Sequence, residues 1–228
     1  VHVVEGQMVQ EGQLLVALNP LQASATVARQ SAQLNQALAR EARLNSELRE
    51  ERTIILKGQF LDRINNGDIS LELLDAEQRH LDARRDTIDG TINILDQRID
   101  QLNNEVQGLE VRRNSRLEQL EIFEDELVGL RDLYQKGYYP KTKILAIERA
   151  IVELEGAAGN DLALIARARS SRGEAFNQIV NVKQRFREDV VKQLRDVQVE
   201  ISDLNERLLV ARDVLERIEI RAPRSGIV

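Results

Sequence analysis

Three prolines in 228 residues constrain this chain more than any other feature. They are Pro20, Pro140 and Pro223. Proline inside a helix removes a hydrogen bond and clashes with the preceding turn, at a cost of about 3 kcal/mol. Long helices therefore fit only between the prolines. Pro20 follows Asn19, a good N-cap residue, and proline is favoured at the first helical position. Pro140 sits in "KGYYPKT", close to Gly137, where one helix stops and another starts. Pro223 precedes Ser225-Gly226, a turn leading into a strand.

The first interval holds one further break. The stretch "LKGQFLDRINNGDIS", residues 56–70, carries Gly58, Gly67 and the cluster Asn65-Asn66-Gly67-Asp68, all turn formers. The pattern predicts three helices, over about 20–55, 71–136 and 141–217, with a hairpin tip at 137–140. At 1.5 Å per residue the third is ~115 Å long, the second ~100 Å and the first ~54 Å. If the third runs from the tip back to the chain ends, the 56–70 segment must return in extended form over about 40 Å. Three helical strands are then expected near the chain ends and two near the tip.

The second helix has a strict seven-residue repeat. One seam line runs Ile88, Leu95, Leu102, Leu109, Arg116, Phe123, Leu130. The other runs Ile92, Ile99, Val106, Arg113, Leu120, Leu127. A sustained period of seven implies a left-handed coiled coil. The third helix answers with Val190, Val197, Leu204, Ala211 and with Leu194, Ile201, Leu208, Leu215. The first is weaker, with Val27, Leu34, Leu38, Leu44 and Leu48 among Ala, Gln and Arg. A hairpin turning at Gly137–Pro140 brings Arg116 level with Asp161 and Arg113 level with Leu164 or Ile165. Arg113, Arg116 and Asp161 are read as a polar layer that fixes register. The other reading is a contact with a neighbouring subunit. The small residues "GAAG", 156–159, lie at the same level and leave room for a close approach or a long arginine stem.

Composition fits this outline. Aromatics are 3%, Trp is absent, and charged residues are 31%, a mixture suited to long helices meeting along narrow seams. The net charge of -6 offers no basic footprint for nucleic acid. The absence of Cys excludes disulfide and thiol chemistry and fits periplasm or cytosol. No apolar run of about 18 residues is present to span a bilayer, and no signal peptide is visible. The chain opens and closes inside strand patterns, which reads as a fragment of a longer protein.

The two ends are the strand-like parts. "VHVVEGQMVQEGQLLVALNP" has Glu-Gly turns at Gly6 and Gly12, and "IEIRAPRSGIV" has a turn around Pro223 and Gly226. Strands this short cannot fold alone. "VVEGQMVQEGQLLVAL" and "IRAPRSGIV" resemble the two halves of a lipoyl/biotinyl module, over 1–19 and 218–228. No lysine lies between Leu14 and Pro20, so the resemblance implies the scaffold without a swinging arm, and no cofactor is expected. The expected fold is mainly α: a long antiparallel coiled-coil hairpin with a third, shorter helix, inserted between two halves of a small lipoyl-like β module.

A lipoyl module split around a helical hairpin resembles the periplasmic adaptor, or membrane fusion protein, family. The hairpin length and "LRDLYQKGYYPKTKILAIERAIVELEG" look most like the hemolysin-D type, in the branch exporting proteases and lipases. The resemblance implies an adaptor of a tripartite type I secretion system in the periplasm of a Gram-negative bacterium. It implies an inner-membrane anchor and an ABC transporter partner reached through segments outside this chain. It implies an outer-membrane channel protein at the hairpin tip and self-assembly into a ring of six copies. Related adaptors carry an Arg, Leu and Ser/Thr motif at the tip. Leu133 matches the Leu, whereas the other two positions fall on Gly129 and Pro140, with Arg131 and Thr142 close by as stand-ins.

The residues point to the tip independently. All three tyrosines lie in "YQKGYY": Tyr134, Tyr138 and Tyr139, and Tyr is a common interface anchor. Tyr134 continues the heptad and is expected to cap the seam. Tyr138 and Tyr139 are read as partner contacts, with seam capping as the alternative. The expected docking set is Arg131, Leu133, Tyr134, Gly137, Tyr138, Tyr139, Pro140, Lys141 and Thr142.

No catalytic constellation is seen, and the chain is not read as an enzyme. His2 and His80 are isolated, whereas a metal site needs converging ligands. Acidic residues alternate with Arg along helix faces, as in "LREER". Three rival readings are an adaptor of a drug-efflux pump with the same architecture, a structural coiled-coil scaffold and a lipoyl carrier component. The split lipoyl ends speak against the scaffold, and the missing lysine against the carrier.

Overall fold

The computed structural model describes residues 2–228. Two residues, Met8–Val9, form β1, and Leu14–Ala17 form β2. Four helices follow: α1 over Leu21–Leu48, α2 over Gly58–Asn65, α3 over Leu71–Gln135 and α4 over Lys141–Glu216. The chain closes with β3, Glu219–Arg221, and β4, Gly226–Ile227. No helix among the described residues is long and apolar enough to cross a membrane. The chain divides into two compact units, one holding residues up to Asp86 with Arg185–Val228, the other Thr87–Gln184.

In the first unit, among the described residues, each strand of one half pairs with a strand of the other half. β1 lies antiparallel to β4, with Met8 opposite Ile227 and Val9 opposite Gly226. β2 lies antiparallel to β3, with Val16 opposite Ile220 and a register shift between Leu14 and Val16. Val9, Ile218 and Ala222 are buried. Among the described residues neither half has a strand–strand pair of its own, so each end reads in the sequence as an incomplete pattern.

At the start of α1, Pro20 already has helical dihedrals. Asn19 Oδ1 accepts the Leu21 N–H at 3.0 Å, so the side chain ahead of the proline supplies the cap. The helix ends at Leu48 rather than near 55. Glu50 takes a left-handed φ of 59°, and the Glu51 N–H returns to the Ser46 carbonyl at 2.9 Å. That is a Schellman end, usually made by glycine. The turn is held from outside: Arg85 Nη1 donates to the carbonyls of Glu50 and Glu51, and Ser46 Oγ accepts the Ile55 N–H.

The expected extended return segment instead contains α2. Gly58 and the Asn66-Gly67 pair are the two ends of this helix, not a run of breakers. Gly67, at φ 76°, makes the same type of end, with Asp68 N–H on the Arg63 carbonyl at 2.9 Å. Phe60 and Ile64, four apart on one face, pack into the core. Ser46 contacts Ile55 and Asn35 contacts Arg63, so the return runs antiparallel to α1. The unit therefore holds four helical pieces where three were expected, while Thr87–Gln184 holds only parts of α3 and α4.

Leu34, Leu44, Val190 and Val197 are among the most deeply buried side chains of the first unit. Full burial of an aliphatic side chain contributes about 1.5–3 kcal/mol. Two polar clusters sit beside this core. Arg63 Nε donates to Asn35 Oδ1 at 2.6 Å, and Asn35 Nδ2 to the Asp68 carbonyl at 2.7 Å. Burial holds the Arg63 guanidinium below its ordinary pKa. Arg43, 2% exposed, is paired with Glu47 and reaches Glu77 at 2.6 Å. Arg84 approaches Glu47 at 3.2 Å, donates to Asp189 at 2.9 Å and lies over the Phe186 ring at 5.3 Å.

Candidate functional site

The hairpin tip is built from a helix end. Gly137 takes φ 81°, its N–H bonds the Tyr134 carbonyl at 2.9 Å, and Tyr138 N–H bonds the Leu133 carbonyl at 3.0 Å. These are the two bonds of a Schellman motif. Pro140 follows, its carbonyl accepting the Lys143 N–H at 3.1 Å as α4 begins. A left-handed residue at 137 costs glycine least, and proline two residues before Thr142 stops α3 without interrupting α4.

This geometry divides the tyrosines differently from the expectation. Tyr139 is half-buried and packs on the core formed by Leu127, Ile144 and Ile151. Tyr139 therefore closes the seam, and Tyr134 does not. Leu133, Tyr134 and Tyr138 are exposed, Tyr138 at 81%. Tyr134 keeps its heptad position in the last turn of α3 but is 42% exposed, and the Schellman turn after Gln135 folds Tyr139 back onto the seam. Arg131 is engaged with Glu148 across the hairpin at 2.7 Å. Lys141 and Thr142 are exposed on the first turn of α4.

Further along the hairpin, Asp161 has 0% exposure. Arg112 Nε donates to its Oδ1 at 2.9 Å, and Arg116 takes Oδ2 and also the Ala157 carbonyl at 2.8 Å. The second arginine is Arg112, not Arg113. Arg113 is half-buried at its seam position, while Arg112 reaches in from the flank. The hydrogen bond from Arg112, with the charges of both arginines, holds the Asp161 carboxyl below the usual carboxylate range. The bond to Ala157 uses a carbonyl within "GAAG". The glycines are not required for it, since a Cβ on Gly156 or Gly159 would meet nothing within 4 Å.

At the lipoyl-like end, Gly6 and Gly12 have φ 84° and 82° and close two matching turns. The Gln after each glycine folds back: Gln7 Oε1 accepts the Val4 N–H and Gln13 Oε1 the Gln10 N–H, both at 3.0 Å. The turns also join the halves. Gly6 N–H bonds the Val228 carbonyl at 2.9 Å, Gly12 N–H the Ala222 carbonyl at 2.8 Å, and Glu11 N–H the Ser225 hydroxyl at 3.0 Å. Gly226 stands in β4 opposite Val9, and Pro223 is exposed just after buried Ala222. Among the described residues no group of three His, Cys, Asp or Glu is placed to hold a metal.

The chain is similar to proteins of one kind. It is 34% identical over 224 residues to the type I secretion system membrane fusion protein PrsE of Rhizobium meliloti, covering 98% of this chain and 51% of the relative. It is 30% identical over 225 residues to the alkaline protease secretion protein AprE of Pseudomonas aeruginosa, covering 98% and 52%. The chain thus spans about half the length of these curated relatives. Its fold matches the crystal structure of the soluble domain of LipC, a membrane fusion protein of a type I secretion system. The TM-score is 0.90 at 23% identity, covering 100% of this chain and 85% of that one. Residues 23–214 match the model of a family described as AprE, long alpha-helical hairpin, and the chain belongs to that family.

Proposed function

We propose that this chain is the hairpin and lipoyl-like part of an adaptor subunit in a type I secretion system. It bridges an inner-membrane ABC transporter and an outer-membrane channel across the periplasm of a Gram-negative bacterium. The membrane anchor and the contacts with the transporter belong to other segments of the protein. The role is mechanical, with no catalytic residue assigned, and the transporter supplies the energy for protein export.

The observation that carries this reading is the tip. A hairpin 65 residues long on one arm and 76 on the other ends in three exposed apolar or aromatic side chains, Leu133, Tyr134 and Tyr138. Aromatic side chains beside a polar rim suit a protein interface, and the outer-membrane channel of the proposed system is the partner this reading assigns to it. Lys136 and Asp132, paired at 2.6 Å, supply part of the rim. The test is export by the full-length protein carrying Leu133→Ala with Tyr138→Ala. Export should fail while the protein still co-purifies with its transporter. Normal export would remove the tip from the mechanism.

A further inference from the structure

All six glycines within the long helices lie in the unit Thr87–Gln184: Gly90, Gly108 and Gly129 in α3, Gly156, Gly159 and Gly173 in α4. Each is exposed. A methyl group built on any of them would meet nothing within 4 Å. Glycine is the least favourable helix residue after proline, and no contact within the chain calls for it here.

The glycines are not scattered. With the seam residues at the a and d positions of the heptad, Gly108 and Gly129 fall at c of α3, on the line Ile94, Gln101, Gly108, Ser115, Ile122, Gly129. In this part of α4 the buried positions are Ile144, Ile151, Ala158 and Ile165 with Asp161, Ala168 and Ala175, out of phase with the seam lines beyond Val190. Taken as a and d, they put Gly159 and Gly173 at b, on the line Leu145, Val152, Gly159, Ala166, Gly173, Val180. Neither line has a single charge, at outward positions where a chain 31% charged would place many. Gly90 and Gly156 lie beside these lines, at f. Ile94, Ile122, Val152 and Val180 are all exposed large apolar side chains.

The two lines lie on opposite flanks of the hairpin. The ion pairs Arg131–Glu148 and Arg169–Glu110 join e positions of the two arms and mark one flank. Position b borders e, so the α4 line lies on that flank. Position c borders g, so the α3 line lies on the other. One copy can therefore present its α4 line to the α3 line of the next, a head-to-tail contact that closes into a ring. A closed ring keeps its copies at one level. The contacts Arg116–Asp161 and Arg169–Glu110 set Ile122 at the level of Gly156, between Val152 and Gly159, and Gly108 at the level between Ala166 and Gly173. Ile122 on one flank thus faces glycine on the other, and Gly108 faces small residues.

We propose that these two uncharged lines are the lateral contact between neighbouring copies of this chain, with Ile122 of one copy seated at Gly156 and Gly159 of the next. The proposal rests on the adaptor reading for its ring of copies. At mid-hairpin both lines are small, Gly108 and Ser115 on α3 and Gly159, Ala166 and Gly173 on α4, which lets the two copies approach closely. The surface salt bridges of the flanks are weak when exposed and set the level.

The test uses the full-length protein in cells with its transporter, in a background free of other cysteines. Copies carrying both Ile122→Cys and Gly156→Cys should form an oxidation ladder beyond the dimer. Copies carrying either substitution alone should stay uncrosslinked. Adding Gly159→Leu, at an exposed position where a Cβ meets nothing within 4 Å, should remove the ladder without lowering the melting temperature. Absence of the ladder, a homodimer from either single variant, or a ladder undiminished by Gly159→Leu would overturn the contact. Co-purification with the transporter reads the adaptor role separately. If it persists without a ladder, only the surface is wrong; a ladder without it supports the surface and removes the adaptor role.

Discussion

Arg116 reaches across the hairpin to the buried carboxylate of Asp161 and, with the same nitrogen, to the carbonyl of Ala157. Arg112 occupies the other carboxylate oxygen. One fully buried acid thus ties two turns of α3 to one point on α4, and an apolar seam gains a fixed level. A buried acid with two cationic partners is costly to misplace, which is how such layers choose register.

The layer makes stability depend on acid pH. The Asp161 pKa in the folded state is below its unfolded value of about 3.9. Its contribution is therefore complete above that value and lost as the pH falls through the folded one. Asp189, lowered by its hydrogen bonds from Arg84 and Gln193, acts in the same direction. Urea midpoints followed by circular dichroism should fall below pH 4 in the parent. In Asp161→Asn with Asp189→Asn that fall should be smaller, and the midpoint at pH 7 lower.

Three helices end in the same motif with different residues at the left-handed position: Glu50, Gly67 and Gly137. An L-residue in that conformation is strained by about 1–2 kcal/mol, partly offset because glycine is freer when unfolded. Glu50→Gly should raise stability by about 0.5–1 kcal/mol, and Gly137→Ala should lower it by about 1 kcal/mol. Urea unfolding of the two variants checks the opposite signs.

Phe60 is 3% exposed and anchors α2 in the core with Leu34 and Val197. Phe60→Ala should cost about 3–5 kcal/mol. Hydrogen exchange should speed up in residues 58–65 and in the facing part of α1, while the amides around Asp161 keep their protection. Uniform loss of protection would mean that α2 is not a separate local support.

Tyr138 and Tyr139 should separate in their effects. Tyr138, exposed, should be replaceable by Ala within about 0.5 kcal/mol of the parent stability, yet export should fail. Tyr139→Ala opens the core at Ile144 and should lower the melting temperature first. Equal thermal losses for both would show that the tip packs otherwise.

Much of this was legible in the sequence because helices announce themselves by period and proline. The heptads of α3 and α4 and the joint at Gly137–Pro140 follow from those two signals, and the split β module from its two turn patterns. α2 did not, because Gly58 and Gly67 bracket only eight residues and resemble a loop. The early end of α1 has no glycine at all; Arg85, far along the chain, and Ser46, which accepts the Ile55 N–H of the returning segment, supply the reason. At the tip, Tyr134 holds its heptad position, but the turn that follows brings Tyr139 onto the end of the seam in its place. Arg113 kept it too, and still lost Asp161 to Arg112, because a long flexible arginine on the flank reaches a buried acid as readily as one on the seam. The glycine lines were visible only once the two flanks could be told apart.

Photocrosslinking from position 138 in intact, exporting cells tests the central claim most directly. A crosslinking residue in place of Tyr138 should capture the outer-membrane channel protein, and one in place of His80 should not. Export with no outer-membrane adduct from position 138, or equal capture from both positions, would contradict the account.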